Sequence, residues 1–597
     1  MAQKPTVQFD KLFQKLYNLE LWMMAYEKIA PKPGNMTPGT DGKTIDGAGL
    51  KLIQEMIGEL KASAYVPKPA RRVHIPKANG KQRPLGIPSF RDKLLQTVVQ
   101  FILEAIYEPT FSDASHGFRP ERSCHTALEE VKRMNGTRWW LEGDIKGFFD
   151  NLNHDTLLRI MGKRITDQRF LHVIGQFLKA GYCENWEYHK TYSGTPRGGN
   201  LSPILSNVYL NELDQMMAKQ IAAFWKGKAR QKSRAYNSAS GRRRKAKKRA
   251  RLTGDWKEFK ALRKEMLSIP ATDPQDPNFR RLTYVRYADD FLIGVIGSKA
   301  EAQDLKRKLK KYLEKELQLE LSDEKTLITN AKERVRFLGY DIMCGEGKRI
   351  LRYPSKLGMC VKRTTSKQMV LLIARVKCYA FARKYGNPSK WKGTPRPALL
   401  NLSELEILMT YNAEIRGFLG YYSLADNLTS TAANVLWLTS GSFYRTLASK
   451  RKSTLYQVKK SMKRAPGRYT LMAQTKRGET REYELVTSTK QLWQGKTQFS
   501  HADLQPNTMM YRGRTELGKR MLAQQCEWCG IENGGMQVHH VRKLGNLKGK
   551  AIWERHMIER QRKTLVLCEK CHDDLHAGRL GERTAKGKQE SRIRGNV

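Results

Sequence analysis

At 597 residues the chain is about four times a typical domain of roughly 150 residues, which predicts three to five domains. It carries 109 Lys and Arg against 58 Asp and Glu, a formal charge of +51 that repels itself unless a polyanion neutralises it. With 40% hydrophobic and 9% aromatic residues it can bury cores, so composition excludes a disordered tail, a secreted disulfide scaffold and a membrane protein, and points to a large globular protein that meets nucleic acid.

The first residues, MAQKPTVQFDKLFQKLYNLE, hold no apolar signal region, and no run approaches the roughly 20 apolar residues that span a bilayer. The expectation is a cytoplasmic protein, neither secreted nor membrane-bound. Residues 1–30 have helical spacing at Phe9, Leu12, Phe13, Leu16, Tyr17 and Leu19. A Gly/Pro-rich loop at 31–49 and a helical stretch at 50–63 follow. RRVHIPK and RPLGIP read as strands, and RDKLLQTVVQFILEAIYEPTF as an amphipathic helix. RWWLEGDIKGFF and TYVRYADDFLIGVIG read as apolar strands with carboxylates inside them.

Between Lys226 and Arg251, 13 of 26 residues are basic and none is acidic. Such a run is expected to be a solvated loop that is mobile when free and orders on a polyanion. Residues 365–450 read as several helices, and 450–520, with 17 basic and 5 acidic residues, contain a hairpin-like RYTLMAQTKRGETREYELV. Five of the nine cysteines, Cys124, Cys183, Cys344, Cys360 and Cys378, are scattered and read as buried hydrophobes in a reducing compartment. The other four form the pairs Cys526/Cys529 and Cys568/Cys571.

Asp144 in WWLEGDIKGFFD and Asp289–Asp290 in YVRYADDFLIG need a cation or a hydrogen-bond network, because burying an unpaired carboxylate costs several kcal/mol, of order 5. Brought together by two strands, three carboxylates make a hard oxygen site suited to Mg²⁺. Two such ions about 4 Å apart would activate a 3′-hydroxyl and stabilise a leaving pyrophosphate. Asp150, six positions beyond Asp144, is expected to point elsewhere.

With these residues the chain resembles the reverse transcriptases. Tyr287–Asp290 looks like their signature hairpin, Asp144 matches their first palm aspartate, and Phe149 matches the bulky residue that screens out a ribose 2′-hydroxyl. The stretch 194–214, GTPRGGNLSPILSNVYLNELD, resembles the block of the group II intron type, with Arg197 where Gln is usual. RRVHIPKANGKQRPLGIPSFRDKLLQ (71–96) resembles the fingers block, which implies that Lys77, Lys81 and Arg83 face the triphosphate of a dNTP. Lys325, in LSDEKTLI, matches a lysine near the phosphoryl-transfer site. YNAEIRGFLGYYSLADN (411–427) resembles the maturase or X domain of group II intron-encoded proteins, a helical thumb that grips intron RNA.

At the C-terminus, two Cys-x-x-Cys pairs separated by 38 residues give strong spacing for one structural Zn²⁺ held by Cys526, Cys529, Cys568 and Cys571. His572 and His576 lie one helical turn apart and, with His539, would hold a catalytic divalent metal with positions open for a phosphate. His540, with a pKa near neutrality, would be the base that activates water. The arrangement resembles the HNH nuclease motif, with Thr564 where an Asn usually orients the base histidine.

The resemblance implies a multidomain α+β protein. Its parts would be an N-terminal extension (1–60), right-hand polymerase fingers and palm (61–350, with a basic insertion at about 223–280), a helical thumb or maturase X domain (351–450), a small basic DNA-binding region (451–520) and a zinc-stapled ββα-metal HNH domain (521–597). It implies a group II intron-encoded protein that copies RNA into DNA with two Mg²⁺, promotes splicing of its own intron RNA in a ribonucleoprotein, and nicks double-stranded target DNA to prime cDNA synthesis during retrohoming.

Overall fold

A computed structural model describes residues 6–582 except 77–79, 81, 196–197, 275, 346–349, 356–357, 364–367, 466–467, 475–478, 493–503, 505, 508–509, 511–512 and 533. The predicted Lys77, Lys81 and Arg197 therefore lie outside the described residues.

The centre is a four-stranded antiparallel sheet in the order Arg281–Tyr287, Asp290–Ile296, Trp139–Gly143, Ile328–Asn330. Its strands are apolar on both faces, since both are covered: Trp140, Leu141, Val285, Leu292 and Ile293 are fully buried. Helix Phe90–Tyr107, expected to be amphipathic with a solvated face, crosses the molecule nearly buried all round, and Asp92, Gln96 and Glu104 of its polar row are buried too. Ser89 caps it, accepting a hydrogen bond from the Asp92 amide at 3.1 Å. A second sheet, ordered Gln82–Ile87, Ala70–Pro76, Tyr182–Glu184, Glu187–His189, stands beside the first.

Beyond residue 335 a three-stranded sheet leads into helices Arg375–Ala382, Glu404–Tyr421, Leu428–Arg451 and Leu455–Met462. Glu404–Tyr421 begins in a capping box, with Ser403 and Glu406 each bonded to the other's backbone amide. Its buried Tyr411 and Ile415 share a core with Val285 and Leu292 of the central sheet. The expected hairpin forms from Arg468–Gln474 and Thr480–Glu484.

The basic run departs from expectation. Residues Arg234–Thr253 form a 20-residue helix that folds back on helix Lys257–Ser268. Ala239, Ala246 and Ala250 line its buried side, Ser233 caps it, and Arg249 pairs with Glu258. The reason is spacing: three alanines at helical intervals let two backbones approach, while the long basic side chains radiate into solvent.

The C-terminal lobe consists of helix Glu516–Leu522, strands Met536–His540 and Thr564–Cys568, helix Ile552–Glu559 and helix Glu569–His576. Its Trp528, Met557 and Leu565 belong to the same continuous core as Tyr26, Ala48 and Leu50 of the N-terminal segment. None of the described helices is long and apolar enough to cross a membrane.

Candidate active sites

The first site forms at the end of the central sheet. Tyr287 pairs with Asp290 across a two-residue turn of Ala288 and Asp289. Gly143 pairs with Phe291, so the next step of the antiparallel register sets Asp144 opposite Asp290. Asp144 thus follows its strand directly and Asp289 sits in the turn, where the sequence suggested strand interiors. Loss of water at the hairpin pushes the Asp290 carboxyl up to about 6, the charges of Asp289 and Asp144 add to this, and Lys325 opposes it. Mutual repulsion of that kind is what divalent cations relieve. The three carboxylates are not drawn into a tight cluster; Lys325 Nζ instead donates to Asp144 Oδ2 at 2.8 Å.

Behind the turn lies a network the sequence did not disclose. Arg286, fully buried, donates through Nε to Asp214 Oδ1 at 2.8 Å and through Nη2 to Asp214 Oδ2 at 2.6 Å. Its Nη1 donates to the Ala288 carbonyl at 2.8 Å, which ties the turn to helix Ser202–Phe224. The Tyr284 hydroxyl donates to the same aspartate at 2.8 Å.

Phe149 lines a cavity of about 460 Å³ against the second sheet, with Arg72, Pro84, Gly86, Tyr182 and Thr195. Arg83 is exposed on the outer strand, paired in register with Ile75. Arg72 stacks on the Tyr182 ring at 3.2 Å. Asp150 is exposed, and its carbonyl accepts from the Ser193 hydroxyl at 2.9 Å.

The second site is in the C-terminal lobe. Cys526, Cys529, Cys568 and Cys571 converge, with Cys529 Sγ 3.8 Å from Cys568 Sγ. A tetrahedron with metal–sulfur bonds of about 2.3 Å has edges of about 3.8 Å, so the thiols fit one ion. Burial pushes Cys526 up to about 11 and Cys571 higher still, the latter helped by the other thiols. Without a cation this cluster cannot hold four thiolates.

His539, His572 and His576 also converge, but a residue unforeseen from the sequence joins them. Asp46, from the N-terminal loop, lies 2.8 Å from His576 Nε2 through Oδ2, and 3.1 Å from His539 Nδ1 and 3.5 Å from His572 Nε2 through Oδ1. Burial opposes ionisation of Asp46, yet the hydrogen bonds and charges of His539 and His572 hold its carboxyl well below the usual range. Neither buried ring nitrogen of His539 has a hydrogen-bond partner of proper geometry. His540 donates its amide to Asp46 Oδ1 at 2.7 Å, and its Nε2 is hydrogen-bonded to the Tyr26 hydroxyl at 2.8 Å. Burial, chiefly, takes its pKa down to about 4, away from the neutrality expected of it. Thr564 pairs in register with His540, but its hydroxyl accepts from Arg520 Nη2 at 2.7 Å. The residue in the usual Asn position is thus engaged by an arginine, and it is Tyr26 that meets the histidine ring.

Comparison with known proteins matches three families along the chain. Residues 75–342 match the reverse transcriptase (RNA-dependent DNA polymerase) family, 369–504 the type II intron maturase family, and 526–572 the AI2M/AI1M-like HNH endonuclease family. The chain is 40% identical over 580 residues to the group II intron-encoded protein LtrA of Lactococcus lactis subsp. cremoris, covering 94% of this chain and 95% of that one. It is 33% identical over 585 residues to an uncharacterized 91 kDa protein in the cob intron of Schizosaccharomyces pombe, covering 96% of this chain and 71% of the other. It is 32% identical over 592 residues to a putative COX1/OXI3 intron 1 protein of Saccharomyces cerevisiae, covering 96% and 69%. Polymerase hairpin, maturase segment and nuclease lobe thus occur in one chain, which belongs to the multifunctional group II intron-encoded proteins, with reverse transcriptase, maturase and HNH endonuclease domains.

Proposed function

We propose that the protein supports retrohoming of its own group II intron by target-primed reverse transcription in a bacterial cytoplasm. It binds the intron RNA as a ribonucleoprotein, promotes splicing, nicks one strand of a double-stranded DNA target, and extends the new 3′-end with dNTPs. The observation that supports the polymerase half is the register of Gly143 with Phe291 and of Tyr287 with Asp290, by which the strand that runs into Asp144 ends beside the Asp289–Asp290 turn.

In this reading Asp144, Asp289 and Asp290 hold two Mg²⁺, which when bound would acidify the primer hydroxyl and neutralise charge on the triphosphate. Lys325 leaves Asp144 and meets the phosphates. Arg83 in the fingers, joined by Lys77, Lys81 and Arg197, orients the triphosphate, and Phe149 bars a 2′-hydroxyl. Residues 351–450, with helices Arg375–Ala382, Glu404–Tyr421 and Leu428–Arg451, form the thumb that grips RNA and template, and the basic region 451–520 after them contacts DNA. Four thiolates hold a structural Zn²⁺ in the nuclease lobe; His539, His572 and His576 hold its catalytic divalent metal, and His540 takes the proton from the attacking water.

The test is a matched set of assays on the purified full-length protein. Splicing of the surrounding intron at low Mg²⁺ should depend on the protein. Asp289→Asn should lose primer extension on an RNA template while nicking persists. His540→Ala should lose nicking while primer extension persists. Joint loss of both activities in either variant would refute the separation of the two centres.

A further inference from the structure

The nuclease lobe is seated on the N-terminal segment through its metal centre. The loop carrying Asp46 runs antiparallel to strand Met536–His540: the Gly47 amide donates to the Val538 carbonyl at 3.0 Å, and the Val538 amide to the Ala48 carbonyl at 3.1 Å. This is strand addition to a free edge. Two glycines permit it. Gly47 takes φ of +79°, and a Cβ at Gly49 would collide with the Met536 carbonyl oxygen. Lys51 and Glu569 close the rim at 3.0 Å.

The donor geometry is that of a ligand set. A tetrahedral site with bonds of about 2.0 Å has edges of about 3.3 Å. Asp46 stands 2.8, 3.1 and 3.5 Å from the three histidines, and His572 Nε2 stands 3.3 Å from His576 Nε2. His539, 5% exposed, has Asp46 Oδ1 3.1 Å from its Nδ1 but makes no hydrogen bond of proper geometry at either nitrogen, as expected of a ring turned to an ion. The His540 ring is spent on Tyr26. An HNH centre that works must leave one position for the scissile phosphate and one histidine free to meet water; here the N-terminal segment fills both.

We infer that Asp46 is the fourth ligand of the histidine metal centre, supplied across the lobe boundary, and that this ligation docks the nuclease lobe on the N-terminal segment and closes it to phosphate until the two separate. The inference rests on the reading of His539, His572 and His576 as metal ligands. Two consequences follow from the donor set. The docked centre takes a metal more tightly than three histidines alone, and DNA must displace the 45–49 loop before it can be cut.

The experiment uses the full-length protein with zinc in its thiolate site, excess Mg²⁺ to fill the polymerase centre, and Co²⁺ as probe. Wild type should bind one Co²⁺ with the strong visible d–d bands of a tetrahedral site. His572→Ala should abolish those bands, and Asp46→Ala should weaken binding by about tenfold or more and change the spectrum. Hydrogen exchange gives a second reading: Co²⁺ should protect both 45–49 and 536–540 in wild type, and 536–540 alone in Asp46→Ala. Gly49→Ala, which keeps every ligand but forces the loop off the strand, should raise nicking of a DNA duplex by RNA-free protein severalfold. If His572→Ala loses Co²⁺ while Asp46→Ala binds it unchanged, the bridge is wrong and the histidine centre stands. If wild type binds no Co²⁺, the histidine centre falls and the bridge with it. Unchanged or slower nicking by Gly49→Ala would overturn the closure.

Discussion

Ala288 adopts φ of +57° at the tip of the polymerase hairpin, a backbone state that costs a non-glycine residue about 1–2 kcal/mol. It persists because its surroundings leave no alternative. The Gly117 backbone abuts it, Arg286 grips its carbonyl, and Asp214 grips Arg286. Removing one partner of a buried ion pair strands the other charge, at a cost of about 3–5 kcal/mol. Asp214→Ala should therefore lower the melting temperature and depress primer extension, although Asp214 touches no substrate; Mg²⁺ affinity should fall with it as the hairpin loosens. A variant melting like wild type would show that the pair does not set the turn. Nearby, burial and then the charges of Arg122 and Arg119 take the His116 pKa down to about 3. The folded state binds this proton more weakly than the unfolded chain does. The residue therefore costs nothing above the unfolded value near 6.5, and destabilises by about 1.4 kcal/mol per unit as pH falls from there toward 3. His116→Gln should be less acid-sensitive in that window when unfolding is followed by denaturant titration. At this scale the sequence exposed what is local: Tyr287–Asp290 is one word of four residues. Asp214 and Arg286 were silent because their meaning lies in a contact across 72 positions, and Asp46 because its partners, the histidines of the C-terminal lobe, lie at the other end of the chain.

The elements show the same divide. Strands with alternating or continuous apolar patterns, and the long buried helix Phe90–Tyr107, are found where periodicity set them. The basic stretch is not, because charge density hid a helix whose packing side is only alanine. A solvated loop and a helix with three small buried residues have nearly the same composition; what separates them is the spacing of Ala239, Ala246 and Ala250 and the matching helix Lys257–Ser268. The helical form has a consequence that a loop lacks. Arg244, Lys245, Lys247 and Lys248 are exposed on a fixed scaffold, so they meet phosphates without first losing chain entropy. Changing Arg244, Lys245 and Lys248 together to Gln should weaken RNA binding and reduce the slope of log affinity against log salt by about 2 to 3, as measured by filter binding across a salt series. Polymerisation on a short preformed primer-template at low salt should change far less. An unaltered slope would mean that this helix faces away from the RNA.

For the whole molecule, the decisive feature is that the C-terminal lobe shares its core with the N-terminal segment instead of hanging from a tether. Net charge and motif order pointed to several activities on one polyanion, and the three matched families bear that out. Motif order carries no information about docking, because an interface of mixed apolar and backbone contacts has no sequence period. The shared core changes what loss of the thiolate site should do. A lobe of about 75 residues buries too little to fold without its metal, so Cys526→Ser should unmake strands Met536–His540 and Thr564–Cys568. Were the lobe tethered, damage would stop there. Since Trp528, Met557 and Leu565 pack in one cluster with Tyr26, Ala48 and Leu50, their loss also uncovers helices Leu19–Ile29 and Leu50–Lys61. Hydrogen exchange on Cys526→Ser should therefore show lost protection at 516–576 and a smaller loss at 19–61, while the central sheet stays protected. Primer extension should survive, because the hairpin of Asp289 and Asp290 is held locally, by Arg286 on the Ala288 carbonyl and by Asp214 on Arg286. Exchange confined to 516–576 would mean that the shared core adds no stability to the N-terminal helices, and that the lobe only rests on them.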